Sequence, residues 1–298
     1  MALAALGAAC AADRTPVRET GADPASFDQL MASGRRWQAA SNPEAAERQF
    51  RQAQRLAGSF PESDPRRVRA DQVLGEVYRE QGRLAEAHAL LDPALARWRG
   101  FADRDPLLLA DLLESLGLLA VMEGELERAQ PLLAEVLELR RRELGASDVE
   151  TAEALVNLAE VERRLGQHQA AEDHLLEAGA IYGEHGARYA LRIATIQTNL
   201  GLLYQELGRY PDAEVQHHQA VQLARQVHEG DNPNLAIASR GLADLYARTG
   251  RAEQALVLYQ WSLGVLERTL GPNHYETQIT RSRIQALEAA PSGGAPRP

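Results

Sequence analysis

The stretch "NLGLLYQELGRYPDAEVQHHQA", Asn199 to Ala220, carries small and aliphatic residues at fixed intervals. A related stretch, "NLAEVERRLGQHQAAEDHLLEA", begins 42 residues earlier at Asn157, and a third, "GLADLYARTGRAEQALVLYQWS", begins 42 residues later at Gly241. Most letters differ between the three stretches, but a few positions keep their residue type. Those positions indicate what one repeated structural unit requires.

The period of 42 residues extends over most of the chain. Each unit has a glycine near its centre, a leucine and a small residue before it, and an alanine five residues after it. The glycines are Gly82, Gly124, Gly166, Gly208 and Gly250; the small residues are Gly75, Gly117, Ala159, Gly201 and Ala243; the alanines are Ala87, Ala129, Ala171, Ala213 and Ala255. A weaker first copy, Ser41–Ala53, fits with a 41-residue step. A fixed period in the range of about 20–50 residues predicts a solenoid of stacked units.

Within each unit the apolar residues have helical spacing. Ile196, Leu200, Leu203 and Leu207 follow one another at steps of three or four and form a stripe on one helix face. The spacing restarts after Gly208, which predicts two antiparallel helices joined by a tight turn. The small residue of the first helix and the alanine of the second are expected at the closest approach of the two backbones, because overpacking costs about 1–3 kcal/mol.

Residues between the units predict how helices end and begin. Glycine is expected to end each second helix in a left-handed conformation. Asp148, Asn232 or Asn273 is then expected to cap the following helix through its side chain. Pro93 and Pro131 fall inside second helices, where proline removes a hydrogen bond and is expected to cause a kink.

This pattern resembles the tetratricopeptide repeat, and more narrowly the 42-residue form found in kinesin light chains and in many bacterial proteins. The resemblance rests on the leucine–small pair, on Tyr78, Tyr204 and Tyr246, and on the "G-R-x-x-x-A" turn. Ala120 and Glu162 depart from it, since they stand where tyrosine is preferred. It implies an all-α fold, a right-handed α-solenoid of about six helix pairs with a C-terminal capping helix, and a concave groove lined by the first helices.

The net charge and the motif content of the chain limit the kinds of partner and of reaction that the sequence favours. A formal net charge of −10 disfavours nucleic acid, which binds proteins through Lys and Arg. The sequence carries no glycine-rich phosphate-binding loop, no G-x-S-x-G motif and no H-E-x-x-H motif. We therefore expect no enzyme, no cofactor and no metal. The pair His217–His218 is the best metal candidate, but His217 takes a position that other units fill with a large packing residue, such as Tyr259.

The N-terminal stretch "MALAALGAAC" ends in Cys10, which is also the only cysteine of the chain. It resembles the end of a bacterial lipoprotein signal, although it lacks a positively charged start and its apolar part is short. Lipidation of Cys10 and a place in the bacterial cell envelope are one expectation, and an unmodified leader in the cytoplasm is the alternative. Residues 1–24 are thus predicted as leader and linker, residues 25–290 as the solenoid, and residues 291–298 as a disordered tail.

The resemblance also implies which residues line the groove. Asn157 and Asn199 match asparagines that clasp a peptide backbone in the family, since a side-chain amide both donates and accepts hydrogen bonds. A basic patch suited to carboxylates is expected from four arginines, and an apolar anchor site from a group of aliphatic residues. The arginines are Arg163, Arg164, Arg240 and Arg248, and the apolar anchor group is Leu118, Val121 and Met122. Leu202 is expected at a further position of the groove.

A structural explanation of the same residues stays open. The asparagines can bond to a neighbouring helix, the apolar group can pack under a shifted helix, and the arginines can pair with Glu160, Glu206 and Asp244. Between these explanations the sequence favours a monomeric scaffold that binds an extended segment of another protein. Self-assembly through the end repeats and a peptide-sensing module are the alternatives.

Overall fold

The computed structural model describes residues 23–40, 42–101, 105–227 and 230–289, and over these residues the chain is all-α without a strand. In these ranges it has thirteen α-helices and one 3-10 turn, Ala187–Tyr189. The helices are α1 Pro24–Ala39, α2 Pro43–Ala57, α3 Pro65–Glu80, α4 Leu84–Arg99, α5 Pro106–Glu123, α6 Leu126–Glu143, α7 Val149–Arg164, α8 His168–Glu184, α9 Ala190–Glu206, α10 Tyr210–Val227, α11 Pro233–Arg248, α12 Ala252–Thr269 and α13 Tyr275–Ala289. Six helix pairs followed by a single helix confirm the predicted fold class. The predicted leader with Cys10 and the predicted tail lie outside the described residues, apart from the first residues of α1.

The chain divides into two compact units, with the boundary between Leu90 and Leu91 inside α4. In the first unit α1 packs on α2 and α2 packs on α3. Its core contains Phe27 and Phe60, whose rings meet edge to face with centroids 5.9 Å apart. Phe50 is fully buried in the same unit. This unit therefore repeats the helix-on-helix packing that the weak first copy predicts.

In the second unit each helix from α5 to α13 packs against the next one along the chain. The first helices of the pairs also contact one another directly: α5 with α7, α7 with α9, α9 with α11, and α11 with α13. A continuous apolar core runs through the unit, and its buried members extend from Ala110 to Ile284. This stacking follows from the sequence, because one helix pair cannot bury both of its apolar sides alone. The side-by-side row of α5, α7, α9, α11 and α13 is called the first-helix face below.

Two glycines of one unit are required for different reasons. Gly208, in the turn, has a φ of +71°, and a Cβ atom there would have no neighbour within 4 Å. Gly201, within α9, would bring a Cβ atom to 2.6 Å from the His217 ring. The turn thus needs glycine for its backbone conformation, whereas α9 needs it for space.

The closest neighbour of the small residue differs from the predicted one. A Cβ atom on Gly117 would lie 2.9 Å from the side chain of Leu133, and one on Gly201 would meet His217. Leu133 and His217 each stand four residues after the alanine named above. The alanines are buried as expected, for example Ala213 at 0% exposure, but a large side chain one turn later fills the space opposite the glycine.

The ends of the helices partly confirm the predictions. The inter-unit glycines Gly145, Gly230 and Gly271 all have positive φ, at +102°, +105° and +90°. Asp148 accepts a hydrogen bond from the Glu150 amide at 2.8 Å, and Asn232 accepts one from the Asn234 amide at 2.9 Å.

The prediction for Asn273 was wrong. The ring Nδ1 of His274 accepts the Glu276 amide at 3.2 Å, because α13 begins one residue later than a cap at Asn273 requires. Pro93 and Pro131 lie inside α4 and α6, as predicted, and both helices continue past them. The kinks stay a prediction. α6 packs between α5 and α7.

Candidate binding face and cleft

All the residues predicted to line a groove lie on odd-numbered helices of the second unit. They are Leu118, Val121 and Met122 on α5, Asn157, Arg163 and Arg164 on α7, Asn199 and Leu202 on α9, and Arg240 and Arg248 on α11. Because these helices stand side by side, the residues share the first-helix face. The structure does not gather them into one site, however: four of them line one cleft, and the other six are not part of its lining.

A cleft with a volume of about 660 Å³ lies among α7, α9, α11 and α13. Its lining includes four of the predicted residues: Arg163, Leu202, Arg240 and Arg248. Their convergence follows from the stacking, since these side chains project from the first helices of three consecutive pairs, α7, α9 and α11. The sequence register therefore predicted part of a real concavity.

One wall of the cleft was missed by the sequence prediction. α13, expected only as a cap, contributes Tyr275, Ile279, Arg283 and Leu287 to the lining. A usable signal was present: Ile284 stands 42 residues after Leu242, so α13 has the register of a first helix. A helix with that register belongs to the first-helix face.

Most charges in the cleft are already paired. Arg163 donates to Glu160 at 2.8 Å and also pairs with Glu206. Arg240 lies 2.7 Å from a Glu276 carboxylate oxygen. The two pairs of Arg163 are those that the structural explanation predicted. Arg240 instead pairs with a carboxylate on α13 that the sequence prediction did not include.

Asp244 is held at the floor of the cleft by two groups. The Tyr259 hydroxyl donates to it at 2.5 Å, and the Arg283 guanidinium lies 3.4 Å away. Burial, together with the neighbouring carboxylate, raises the pKa of Tyr259, so its hydroxyl stays protonated and remains a donor to Asp244. Arg248, in contrast, is exposed and forms no salt bridge with any residue in the described part of the chain.

Gln205 connects the cleft with the core. It lines the cleft although only 3% of it is exposed, and its side-chain nitrogen lies 2.7 Å from Nε2 of His217. His217 is fully buried, which confirms that it fills the packing position. Burial and, to a smaller extent, the charge of His218 lower the pKa of His217 to about 4. Across the described residues no group of three or more His, Cys, Asp or Glu side chains is placed to hold a metal ion.

The two predicted asparagines have different surroundings. The Asn157 amide donates to Glu114 at 2.8 Å, so it bonds to the neighbouring helix as the structural explanation predicts. The same carboxylate receives two hydrogen bonds, at 3.0 and 2.8 Å, from the buried guanidinium of Arg140. Asn199 is half-buried on α9 and has no hydrogen-bond partner in the described ranges. Only Asn199 therefore has its whole amide available.

The apolar group on α5 is graded in exposure. Leu118 and Val121 are half-buried, and Val121 packs against the core, whereas 48% of Met122 is exposed. Arg164 covers this end of α5 by donating to the Val121 carbonyl at 3.4 Å. The α5 group is thus partly structural, with Met122 as its exposed member.

No helix in the described residues has the length and the apolar composition needed to span a bilayer.

Known proteins share the repeat pattern of this chain. A sequence profile of the tetratricopeptide repeat matches residues 66–141, 108–184 and 192–268. The chain is 25% identical over 174 residues to Protein KINESIN LIGHT CHAIN-RELATED 2 of Arabidopsis thaliana. The aligned region is 58% of this chain and 26% of that protein. The chain thus spans about a quarter of the length of this curated relative.

Solved structures share the fold at low sequence identity. The crystal structure of BtubC (BKLC) from P. vanneervenii has a TM-score of 0.56 and 23% identity, and covers 91% of this chain and 94% of that one. A Rap protein complexed with Competence and Sporulation Factor has a TM-score of 0.61 and 15% identity, and covers 88% of this chain and 75% of that one. At these identities the likeness concerns the fold.

Proposed function

The chain belongs to the tetratricopeptide repeat family, and from that premise we propose that it is a non-enzymatic scaffold whose first-helix face binds an extended segment of a partner protein. The observation that carries the proposal is the cleft among α7, α9, α11 and α13. It is open, it is lined by both apolar and charged side chains, and it contains an arginine without a salt bridge. Stacked helices hold such a surface rigid, so little ordering cost falls on the protein when a segment binds.

Hydrogen-bonding groups on the same face suit an extended main chain. Asn199 can donate and accept, and Asn157 keeps its side-chain oxygen, because its nitrogen is used by Glu114. A segment that runs along the row from α13 toward α5 would reach Met122, the exposed apolar residue there. The Rap protein, which has the same fold, holds a bound factor, so the fold is compatible with such binding.

The outward side of α13 favours a scaffold that remains a monomer. Gln285 and Glu288 are exposed on α13 at the places where the preceding first helix, α11, buries Ala243 and Tyr246. A further helix pair stacked at this end would have to cover these polar side chains. Self-assembly through α13 is therefore disfavoured, and light scattering over a range of protein concentrations should give one constant mass.

Lipidation of Cys10 and attachment to a bacterial envelope remain part of the proposal, supported by the sequence "MALAALGAAC" alone. Mass spectrometry of the N-terminus of the natively expressed protein tests it. An acylated cysteine places the scaffold at a membrane surface, and an unmodified leader places it in the cytoplasm.

The binding function is tested with a library of random short peptides displayed on phage and selected on the full-length protein. The strongest binder is synthesised and its affinity measured by calorimetry for the wild type and for the double variant Asn157→Ala/Asn199→Ala. We expect weaker binding by the variant and an unchanged helical circular dichroism spectrum. Equal affinity for both proteins would exclude the two asparagines from the binding surface, and failure to select any peptide would count against the scaffold function itself.

A further inference from the structure

We propose that the buried histidine His217 is a positioning residue for the cleft: it holds the side-chain amide of Gln205 so that the amide oxygen accepts a hydrogen bond from an N–H group of a bound segment. This inference rests on the proposed scaffold function. It adds one ligand contact, Gln205, and one core residue that acts on the ligand only through that contact.

Gln205 is almost completely buried and still lines the cleft. Only 3% of its surface is exposed, and its side-chain nitrogen lies 2.7 Å from Nε2 of His217. Its side-chain oxygen has no hydrogen-bond partner in the described residues. That oxygen is also absent from the buried side-chain atoms that lack a partner there, so it reaches the surface of the cleft. A buried amide with one atom bonded and the other open to a cleft can bind a ligand at that second atom.

The ring of His217 is held between the two helices that carry the middle of the cleft. A Cβ atom on Gly201 of α9 would lie 2.6 Å from the ring, and one on Gly241 of α11 would lie 2.9 Å from it. The ring itself is fully buried. Because the backbones of both helices approach it so closely, its movement is restricted and Nε2 stays directed at Gln205.

The contact determines where the imidazole proton is. When the Gln205 nitrogen donates to Nε2, that atom is the unprotonated nitrogen of the neutral ring, and the proton is on Nδ1. Nδ1 is buried without a partner in the described part of the chain, and an unpaired buried N–H destabilises this arrangement.

A second arrangement of the same two side chains competes with the first. If the amide turned by 180°, its oxygen would accept from a protonated Nε2, and only an unpaired lone pair would remain on Nδ1. The amide would then present its N–H groups to the cleft. A ligand N–H that bonds to the amide oxygen stabilises the first arrangement alone, so binding selects it.

The surroundings keep the ring neutral and able to accept. α10 packs on α9 and α11, which place Gln205, Gly201 and Gly241 against the ring, and none of these is charged. Burial and, to a smaller extent, the titratable neighbour His218 lower the pKa of His217 to about 4. At pH 7 no charge on the ring therefore forces the amide to turn.

The amide oxygen defines the ligand group that fits. It accepts from an N–H, and an extended segment offers such groups along its main chain. A ligand carbonyl at the same point would meet the oxygen without a proton between them. The structure thus assigns a main-chain N–H of the partner to the place next to Gln205.

The first experiment measures the affinity of the phage-selected peptide by calorimetry for variants that circular dichroism shows to be folded. Gln205→Met, which removes the polar group at similar volume, should weaken binding about fivefold, as for the loss of one hydrogen bond. The matched control is Gln197→Met on the same helix. Gln197 bonds to Gln219 and does not line the cleft, so its substitution should change the affinity by less than about twofold.

A double-mutant cycle tests whether His217 acts through Gln205. His217→Leu should weaken binding about threefold because the amide is released, and adding it to Gln205→Met should cause no further loss. His217→Gln, which keeps a polar atom near the place of Nε2, should restore most of the affinity. Additive effects of His217→Leu and Gln205→Met, or no rescue by His217→Gln, would mean that the histidine acts by packing alone.

Two further measurements test the polarity of the contact. In the complex of the wild type with the peptide at pH 7, nitrogen NMR should show a proton on Nδ1 of His217 and none on Nε2; a protonated Nε2 would overturn the proposal. Replacing each peptide amide in turn by an ester removes one N–H at a time. One ester should weaken binding to the wild type and have little effect on binding to Gln205→Met, and the absence of such a position would exclude the N–H contact.

The results separate this inference from the broader proposal. If Asn157→Ala/Asn199→Ala weakens binding but Gln205→Met matches Gln197→Met, the first-helix face binds peptides and Gln205 takes no part. If no peptide is selected on the wild type, the scaffold proposal and this inference both fail.

Discussion

Two neighbouring repeats, the fourth (α7 and α8) and the fifth (α9 and α10), carry different side chains at equivalent packing positions. In the fifth repeat the Arg209 guanidinium lies 4.1 Å from the centre of the Tyr204 ring, and the Tyr204 hydroxyl donates to Glu172 at 2.7 Å. In the fourth repeat Glu162 and Gln167 replace this tyrosine and arginine, and the buried Glu162 bonds to His174 at 2.8 Å.

The packing position opposite the small residue differs in the same two repeats. It is occupied by Leu175 in the fourth and by His217 in the fifth, both fully or almost fully buried. Each repeat therefore contains a histidine with a side-chain partner from the first helix of its pair, a carboxylate for His174 and an amide for His217. The same repeat backbone therefore accepts different side chains, as long as their volumes fit and their hydrogen bonds are satisfied. The contributions of the two histidines to the free energy of unfolding should change with pH in opposite directions.

The largest expected effect is a loss of stability in acid through His217. Its pKa is lowered to about 4 by burial, while the unfolded chain has the ordinary value of about 6.5. As the pH falls between these values the unfolded state takes up a proton that the folded state does not, so the free energy of unfolding decreases by about 3 kcal/mol. Urea unfolding at several pH values measures it. In His217→Leu, which copies the residue of the fourth repeat, this part of the pH dependence should disappear; an unchanged difference between pH 6.5 and 4 would show that other groups cause it.

The next largest effect is expected from Gly201→Ala. The added Cβ atom would lie 2.6 Å from the imidazole ring and should cost about 2 kcal/mol of unfolding free energy. The fourth repeat carries Ala159 and Leu175 at these two positions, so adding His217→Leu to Gly201→Ala should restore much of the loss. A double-mutant cycle measures this coupling, and additive effects of the two substitutions would contradict a direct clash.

A smaller effect of opposite sign is expected from His174. Its hydrogen bond to Glu162 raises its pKa against the lowering effect of burial. Its contribution is fully present below about pH 6.5 and is lost as the pH rises through the folded-state pKa. The effect should be smaller than that of His217 because 23% of the His174 side chain is exposed. Comparison of the wild type with His174→Gln from pH 6 to 9 measures it, and NMR titration of the ring gives the pKa directly.

The smallest effect is expected from the turn of the fifth repeat. Arg209→Ala removes the cation–π contact with Tyr204 and should cost about 0.5–1 kcal/mol. The equivalent change in the fourth repeat, Gln167→Ala, breaks two exposed side-chain hydrogen bonds with Gln130 and should stay within about 0.5 kcal/mol. Amide hydrogen exchange in α9 and α10 reports the first change locally. If the amides of α9 and α10 exchange as slowly in Arg209→Ala as in Gln167→Ala, the stacked arginine adds no stability.

Much of the fold could be predicted because repeat spacing is a local property of the sequence. The turn glycines, the buried alanines and the helix pairs were all identified by position. The prediction failed at Asn273, where one residue of register decides which side chain caps the helix. The partner of Gly201 was also placed one helical turn too early, because spacing does not show which of two nearby side chains fills a gap.

The candidate site was less predictable than the fold. The register placed every candidate on the first-helix face, but it could not show that Asn157 is engaged by Glu114, which is in turn held by Arg140. It also treated the α13 helix as a cap, since a single helix without a partner gives no second copy to compare.

The amino-acid sequence by itself determined the 42-residue unit, its two helices, its left-handed turns and the need of each unit for neighbours. These features depend on residues close in the chain or one period apart, and each is expressed in a residue type. The tertiary structure alone decided which arginines are neutralised, which amide remains available, and that α7, α9, α11 and α13 enclose a cleft. The physical reason is that an ion pair or a cavity depends on side chains from several helices at once, and their distances are set by packing and not by spacing along the chain.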